Sequence, residues 1–163
     1  MNGGKWMALA ATLALVPCTA GAQAVISERT LSLGAAMEMA QAAMEACRKE
    51  GYKVTITVLN RAARTKVVMH EDGANPHTLE NSLRKAYTAL TFRRPSGEFG
   101  KAQQKNPPPH GQILLDKVTV SEGGLPIVSN KEVIGSIGIS GAPGGHRDAA
   151  CAKVGIDKIT SDL

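Results

Sequence analysis

The chain has 163 residues, of which 43% are hydrophobic, 20% charged and only 3% aromatic, and its formal net charge is +5. These values are ordinary for one globular domain with an aliphatic core. So few aromatic rings argue against the stacking platforms that bind single-stranded nucleic acid. The basic residues form no run of five or six like charges, the pattern of nucleic-acid and membrane-binding tails. We therefore expect mostly solvated basic faces and no nucleic-acid partner.

Residues 1–22 have the pattern of an export signal. Lys5 supplies a positive charge, an apolar run follows it, and small residues form a cleavage site that ends at Ala22. The apolar run is shorter than the roughly 20 residues that a membrane span needs. Lipid attachment at Cys18 is the alternative. We predict cleavage near Ala22, a single domain over residues 23–163, and a periplasmic or secreted protein without stable membrane insertion.

Cleavage would leave two cysteines, Cys47 and Cys151. An even number of cysteines in an oxidising compartment favours a disulfide over the alternative of two buried free thiols. The bridge would close a loop of about a hundred residues, a constraint worth about 4 kcal/mol in the chain-entropy model. We therefore predict a disulfide between the first and the last helix.

The first half of the mature chain is predicted to contain helices and one hairpin. Apolar residues at spacings of three and four indicate an amphipathic helix over Leu33–Glu50, which Ser32 can cap. Alternation predicts two strands, Tyr52–Leu59 and Thr65–His70. A second helix begins near His77 or Thr78 and stops at Pro95, and a short third helix covers Ser96–Gln104. The apolar stripe predicted for the second helix consists of Leu79, Leu83, Ala86, Tyr87 and Leu90.

The second half is predicted to be mostly strand. A strand over Lys117–Val120 precedes a hairpin formed by Leu125–Val128 and Val133–Ser140. In the last of these strands one face is aliphatic and the other is small or polar, and strand glycines mark a close approach of another element or a ligand. A glycine-rich turn leads into a last helix, roughly His146–Val154, which Gly155 can end. Short turns between consecutive strands indicate an α+β fold with a five-stranded antiparallel sheet flanked by helices.

Four segments carry a resemblance that covers the chain from about Leu33 onward. They are GANPHTLENSLRKAYTALTFRRPS at 73–96, GGLPI at 123–127, VIGSIGISGAPGG at 133–145 and RDAACAKVGIDKI at 147–159. In this order and at these spacings, they resemble the GlcG/HbpS family of haem-binding proteins. The resemblance implies a profilin-like fold, non-covalent haem as cofactor, export, and homo-oligomers of up to octamers. It also implies a role in haem or iron handling or in redox sensing.

A haem iron needs an axial ligand, and none of the four histidines lies in a covalent attachment motif. His77 is the preferred ligand, because a helix start disfavours the charged imidazole and leaves a neutral ring for iron. His110, on a proline-rich loop, and His146, at the start of the last helix, are alternatives, whereas His70 is expected to be a solvated strand end. For each of these histidines, the alternative to iron binding is a structural role as a cap, turn or connector residue. A hydroxyl ligand such as Thr78, or pentacoordinate haem, stays open because the family uses more than one type of axial ligand.

Cationic side chains and backbone groups supply the other binding candidates. The candidate partners of the haem propionates are Arg84, Lys85 and Arg93. As residues of a surface helix, they are also explained by simple solvation of one helix face. A reserve site for an anion, either a propionate or a small organic acid, consists of Gly141, Gly144, Gly145 and His146. A plain tight turn is the alternative for these four residues.

Catalytic patterns are weak, so we do not predict an enzyme. Ser140 lacks the nucleophile-elbow pattern, and no His or Cys residues have the spacing of a zinc site. Three functions stay open. The first is an exported haem-binding protein, and the second is an accessory protein that binds or converts a small, glycolate-like organic acid. The third is a ligand-free oligomeric accessory subunit whose small strand face packs against a neighbouring chain.

Overall fold

A computed structural model of the chain describes residues 24–105 and 111–163. The helices are α1 (Leu33–Lys49), α2 (His77–Phe92), α3 (Ser96–Lys105) and α4 (Gly145–Ile159). The strands are β1 (Thr55–Asn60), β2 (Thr65–His70), β3 (Gly124–Ser129) and β4 (Glu132–Ser140). Short 3-10 turns cover Gly111–Leu114 and Thr160–Asp162. The predicted signal segment and His110 lie outside the described residues. Within them, no helix combines the length and the apolar character that crossing a membrane requires.

The strands form one antiparallel sheet in the order β2-β1-β4-β3. The described sheet therefore has four strands, and the prediction of five was wrong. The stretch 117–120 is not a strand, because helix side chains and neighbouring turns meet its backbone groups. Thr88 of α2 accepts a hydrogen bond from the Thr119 N–H at 2.9 Å, and the Leu115 carbonyl accepts one from Val118. The alternation of Val118, Thr119 and Val120 is compatible with a segment that packs against a helix, as well as with a strand in a sheet.

The two faces of the sheet differ in the size of their side chains. One face is aliphatic and lies in the main core with residues of α1 and α4. Its fully buried members in β1 and β4 are Ile56, Val58, Ile137 and Ile139. The other face, which we call the small face, carries Thr55, Thr57, Ser136, Gly138 and Ser140, paired across β1 and β4 by the strand register. This division confirms the alternation predicted for β4.

Helix α2 lies directly on the small face. A Cβ at Gly138 would overlap the Ser82 carbonyl and the Ala86 backbone nitrogen, so only a glycine permits this approach. The hydroxyls of Thr57 and Ser82 form a hydrogen bond of 2.8 Å across the contact. The predicted close approach of another element at a strand glycine is therefore confirmed here.

Most of the predicted apolar stripe of α2 is confirmed, because Ala86 and Leu90 are buried with Leu59 and because Leu83 and Tyr87 pack against that cluster. The helix buries Thr78, Ser82, Lys85, Ala86, Thr88, Ala89 and Leu90. Leu79 is instead 45% exposed. Near Gly138 the helix backbone comes so close to the sheet that the short side chains of Ser82 and Ala86 fill the contact.

Helices α1 and α4 pack together on the aliphatic face and are joined by the predicted disulfide. Cys47 and Cys151 have Cα atoms 5.6 Å apart and are 104 residues apart in the chain.

Gly155 was predicted to end α4, but it lies inside this helix. A Cβ at Gly155 would lie 2.6 Å from the Met39 carbonyl, so this glycine allows α1 to come close.

Candidate functional site

A cleft of about 400 Å³ opens where the first turns of α2 and α4 meet the end of β4. We call it the polar cleft, because polar groups form most of its lining. The turn before α2 and the helix itself contribute Asn75, His77, Asn81 and Lys85. The opposite walls come from Ser121 and Glu122, and from Ser140, Gly141, Ala142, Gly145 and Asp148. The two regions predicted as separate candidate sites thus contribute to one cavity, the first through Asn75 and His77 and the second through Gly141 and Gly145, whereas Gly144 and His146 of the predicted anion site do not line it.

A buried ion pair forms the floor of the polar cleft. Lys85 Nζ lies 2.7 Å from Asp148 Oδ2, and the two side chains are only 4% and 3% exposed. The same ammonium donates a hydrogen bond of 2.9 Å to the Ile139 carbonyl in β4. The other oxygen of Asp148 accepts a hydrogen bond of 3.0 Å from the Ala142 N–H. The pair therefore ties α2 and β4 to the turn that leads into α4.

Burial sets the electrostatics of this pair. It raises the pKa of Asp148 above the ordinary value of 3.8, because desolvation disfavours the carboxylate by more than Lys85 and the Ala142 N–H favour it. An isolated ion pair at such a depth usually stabilises a fold no better than apolar residues would. A buried lysine that lines a cavity is therefore a candidate for function as well as for structure.

Glycines shape the turn beside the ion pair. Gly141 has a φ of +133°, and Gly144 has a φ of +123°. Residues with a Cβ rarely adopt these values, so the chain can turn into α4 here only with glycine. A Cβ on Gly145 would lie 2.6 Å from the Glu122 carbonyl, which shows how closely the two walls of the cleft approach each other.

His77 is the histidine among the cleft-lining residues, and it is exposed at the first position of α2. The next residue, Thr78, is completely buried. Its hydroxyl forms hydrogen bonds of 2.6 Å with both the Asn75 carbonyl and the Thr55 hydroxyl. Thr78 therefore lies beneath the cleft, where it holds the start of α2 on the sheet, and only His77 of the two faces the cavity.

The other cationic candidates lie elsewhere. Arg84 is a surface residue that pairs with Glu80, 2.6 Å away, one turn earlier in α2. Arg93 follows the last residue of α2 in a left-handed conformation with a φ of 52°. It lies eight residues beyond Lys85, the last residue of α2 in the cleft lining, a rise of about 12 Å at 1.5 Å per residue. Of the three predicted propionate partners, only Lys85 lines the polar cleft.

Arg93 instead borders a second cleft of about 690 Å³ at the opposite end of the sheet. Its lining includes Arg61, Tyr87, Leu90 and Lys131. Arg61 is paired there with Glu132 at 3.0 Å. None of the described residues that line this cleft is a histidine.

Two further histidines lie outside the lining of the polar cleft. His146 is exposed at the second position of α4, with its ring against Gly144. His70 ends the edge strand β2, and its Nδ1 forms a hydrogen bond of 2.7 Å with the Thr55 hydroxyl. Across the described part of the chain, no three His, Cys, Asp or Glu side chains group closely enough to hold a metal ion.

Sequence reasoning did not identify four polar groups of the site: Asn81, Glu122, Ser140 and Asp148 as the partner of Lys85. Asn81 Nδ2 donates a hydrogen bond of 2.9 Å to Ser140 Oγ, which links α2 to the end of β4. One signal was present in the sequence. Lys85 recurs at helical spacing with Thr78 and Ser82, so once that face is known to be buried, an acidic partner is required.

Comparisons with known proteins agree with this fold. A family model described as "Haem degrading protein HbpS-like" matches residues 31–157. An uncharacterized 15.0 kDa protein in the dhaT-dhaS intergenic region of Citrobacter freundii is 32% identical over 114 residues, which are 69% of this chain and 80% of that protein.

Solved structures are similar over most of the chain. Klebsiella pneumoniae protein ORFY has a TM-score of 0.79 at 26% identity, over 85% of this chain and 97% of that one. A double mutant of Streptomyces reticuli HbpS has a TM-score of 0.78 at 30% identity, over 88% and 97%. A PduOC:heme complex shares the fold, with a TM-score of 0.74 at 23% identity over 80% and 95%.

Proposed function

Because the chain belongs to the HbpS-like family of haem-degrading proteins, we propose that it is an exported haem-binding protein that acts in haem or iron handling or in redox sensing. The observation that supports this function in the chain itself is the position of His77. It is exposed, it stands at a helix start, and it faces a cavity whose floor carries a cation. A structural neighbour solved as a heme complex adds support at the level of the fold.

The residues of the polar cleft fit a non-covalently bound haem in two respects. The imidazole of His77, exposed at the rim of the cleft, would hold the iron. Lys85 would supply a cation for a propionate. When bound, haem provides a redox-active iron, while the protein supplies the ligand and the charge.

Export and assembly belong to the same proposal. The segment ending at Ala22 supports cleavage and release into the periplasm or the medium. A disulfide between Cys47 and Cys151 suits such an oxidising compartment. Assembly into homo-oligomers, up to octamers, is proposed from the family resemblance and is measurable by light scattering on the purified protein.

Haemin titration followed by optical spectroscopy tests the haem proposal. We expect a Soret band that saturates at stoichiometric haemin and is shifted or lost in His77→Ala. His70→Ala is the matched control, because His70 is also a terminal residue of its element but does not line the cleft. An unchanged spectrum at stoichiometric haemin would refute the proposed function. A band that survives in His77→Ala but is lost in His146→Ala would assign the ligand to His146.

A second candidate function is the binding or conversion of a short organic acid, and the polar lining of the cleft favours it. A porphyrin ring needs apolar surface, whereas this cavity offers mainly hydrogen-bonding groups. The third hypothesis, a ligand-free subunit, placed a neighbouring chain on the small face of β4. Helix α2 of the same chain occupies that face, as the overlap at Gly138 shows.

A further inference from the structure

Two deeply buried side chains in the polar cleft retain hydrogens for a ligand. Lys85 and Ser140 are each 3% exposed. An ammonium has three hydrogens, and within the described residues Lys85 Nζ donates to two acceptors, the Ile139 carbonyl and Asp148. Ser140 Oγ accepts a hydrogen bond from Asn81 Nδ2. The hydroxyl hydrogen of Ser140 is therefore still available for donation.

A backbone group adds a third donor. Gly145 lines the same cleft as the first residue of α4, a helix of 15 residues. Its N–H has no carbonyl acceptor one turn earlier, and the positive end of the helix dipole lies at the same place. Three donors, one of them charged, thus border one cavity.

We propose that Lys85, Ser140 and the Gly145 N–H form a binding site for a carboxylate. The inference rests on the proposed use of the polar cleft as a ligand site, and it adds the ligand class and the groups that recognise it. Two carboxylate oxygens can accept all three hydrogen bonds, and bonds from a cation and from a helix start are the stronger kinds.

The negative charge of Asp148 is offset by the ammonium of Lys85, 2.7 Å away, so the pair carries no net charge toward a ligand. Both of its oxygens already accept hydrogen bonds, one from Lys85 and one from the Ala142 N–H. Asp148 is therefore a positioning residue that holds Lys85 at the cleft floor.

Glu122 on the opposite wall is different, because it is absent from the ion pairs of the described residues. Its carboxylate repels any acid group that lies beside it, so the part of the ligand next to Glu122 is better a hydroxyl, which can donate a hydrogen bond to it, than a second acid group. The site therefore favours a hydroxy monocarboxylate over a dicarboxylate.

Such a carboxylate has two possible sources, a free short hydroxy acid or a propionate of haem. Titration calorimetry on the full mature chain at constant ionic strength uses glycolate, acetate, ethylene glycol and malonate as probes. If the source is a free acid, glycolate binds most tightly, acetate binds more weakly, and ethylene glycol and malonate do not bind. If the source is a propionate, none of the acids binds. Haemin then binds more tightly than haemin whose two propionates are methyl esters.

Ser140→Ala and Ser136→Ala are the matched pair of variants. Both serines are buried on the same face of β4, but Ser136 does not line the cleft and its hydroxyl has no partner in the described residues. We expect Ser140→Ala to weaken glycolate or haemin binding about tenfold, the loss of roughly one hydrogen bond to a charged group. Ser136→Ala should leave both affinities unchanged. Glu122→Gln should allow malonate to bind, if free acids bind at all.

Two results would overturn the inference. One is binding of glycolate and haemin to Ser140→Ala with wild-type affinity, and the other is equal weakening by Ser136→Ala. The proposed haem function can fail while the carboxylate site stands. This is the outcome if the chain binds glycolate through Ser140 but gives no Soret band with haemin.

Discussion

Replacement of Lys85 by methionine tests whether the floor of the polar cleft depends on its ion pair. Methionine has a similar length, so it fills the same space without a large cavity. The variant leaves Asp148 Oδ2 and the Ile139 carbonyl without the donor that now lies 2.7 and 2.9 Å away. Removing one partner of a buried pair costs about 3–5 kcal/mol, because the other charge stays buried. We expect the free energy of unfolding to fall by about that amount at pH 7.

The pH dependence of the loss identifies its cause. Lys85 lowers the pKa of Asp148 in the wild type, so its removal raises that pKa further above the unfolded value. A carboxyl whose folded-state pKa is raised binds its proton more tightly in the folded chain, so stability is regained as the pH falls through that pKa and is lost as the pH rises. The difference between Lys85→Met and the wild type should therefore be smaller at pH 4 than at pH 7.

Urea unfolding followed by circular dichroism measures both effects. The double variant Lys85→Met/Asp148→Asn is the control, because asparagine removes the charge and can still accept the hydrogen bond from the Ala142 N–H. We expect the double variant to recover about 2 kcal/mol of the loss at pH 7. The reasoning is refuted if Lys85→Met loses less than about 1 kcal/mol, or if the double variant is no more stable than the single one.

The packing of the fold leads to two further predictions. Gly138→Ala should destabilise the chain by about 3 kcal/mol, because its Cβ would overlap α2. Gly34→Ala is the control, because its Cβ meets no atom within 4 Å, and it should stabilise α1 by about 0.5 kcal/mol. Equal changes in the free energy of unfolding by urea for the two variants would contradict the close approach of α2 to Gly138. Replacement of Cys47 and Cys151 by alanine should lower the free energy of unfolding by about 4 kcal/mol. An unchanged urea midpoint in the double alanine variant would show that the bridge does not constrain the unfolded chain.

Local patterns in the sequence were sufficient for most elements of the fold. The alternation in β4 gave the correct division into an aliphatic and a small face, since side chains point to opposite sides of a strand whatever lies beyond them. The Ser32 cap was also predicted correctly, because its hydroxyl accepts from the Ala35 N–H only three residues away. Four segments of the chain, in their order and at their spacings, likewise identified the HbpS-like family.

Predictions that depended on a partner surface were less accurate. The periodicity of α2 predicted its apolar stripe but not the adjoining buried polar residues Thr78, Ser82 and Lys85, because the close approach of the helix at Gly138 decides that these are covered as well. The stretch 117–120 alternates like a strand, but Thr88 of α2 meets its backbone instead of a neighbouring strand. Lys85 was expected on a surface helix, whereas its place opposite Asp148 buries it.

In the candidate site, too, local patterns predicted some features, whereas contacts between distant segments decided others. The sequence by itself determined which groups were available, namely a histidine at a helix start, a glycine-rich turn at another helix start and a lysine in the middle of the second helix. Only the tertiary structure decided that His77, Lys85 and Gly145 border one cavity, because α2 and α4 lie far apart in the chain and meet through β4. Local geometry is set by neighbours within a few residues, whereas a binding site is set by contacts between distant segments, and these depend on how whole surfaces fit together.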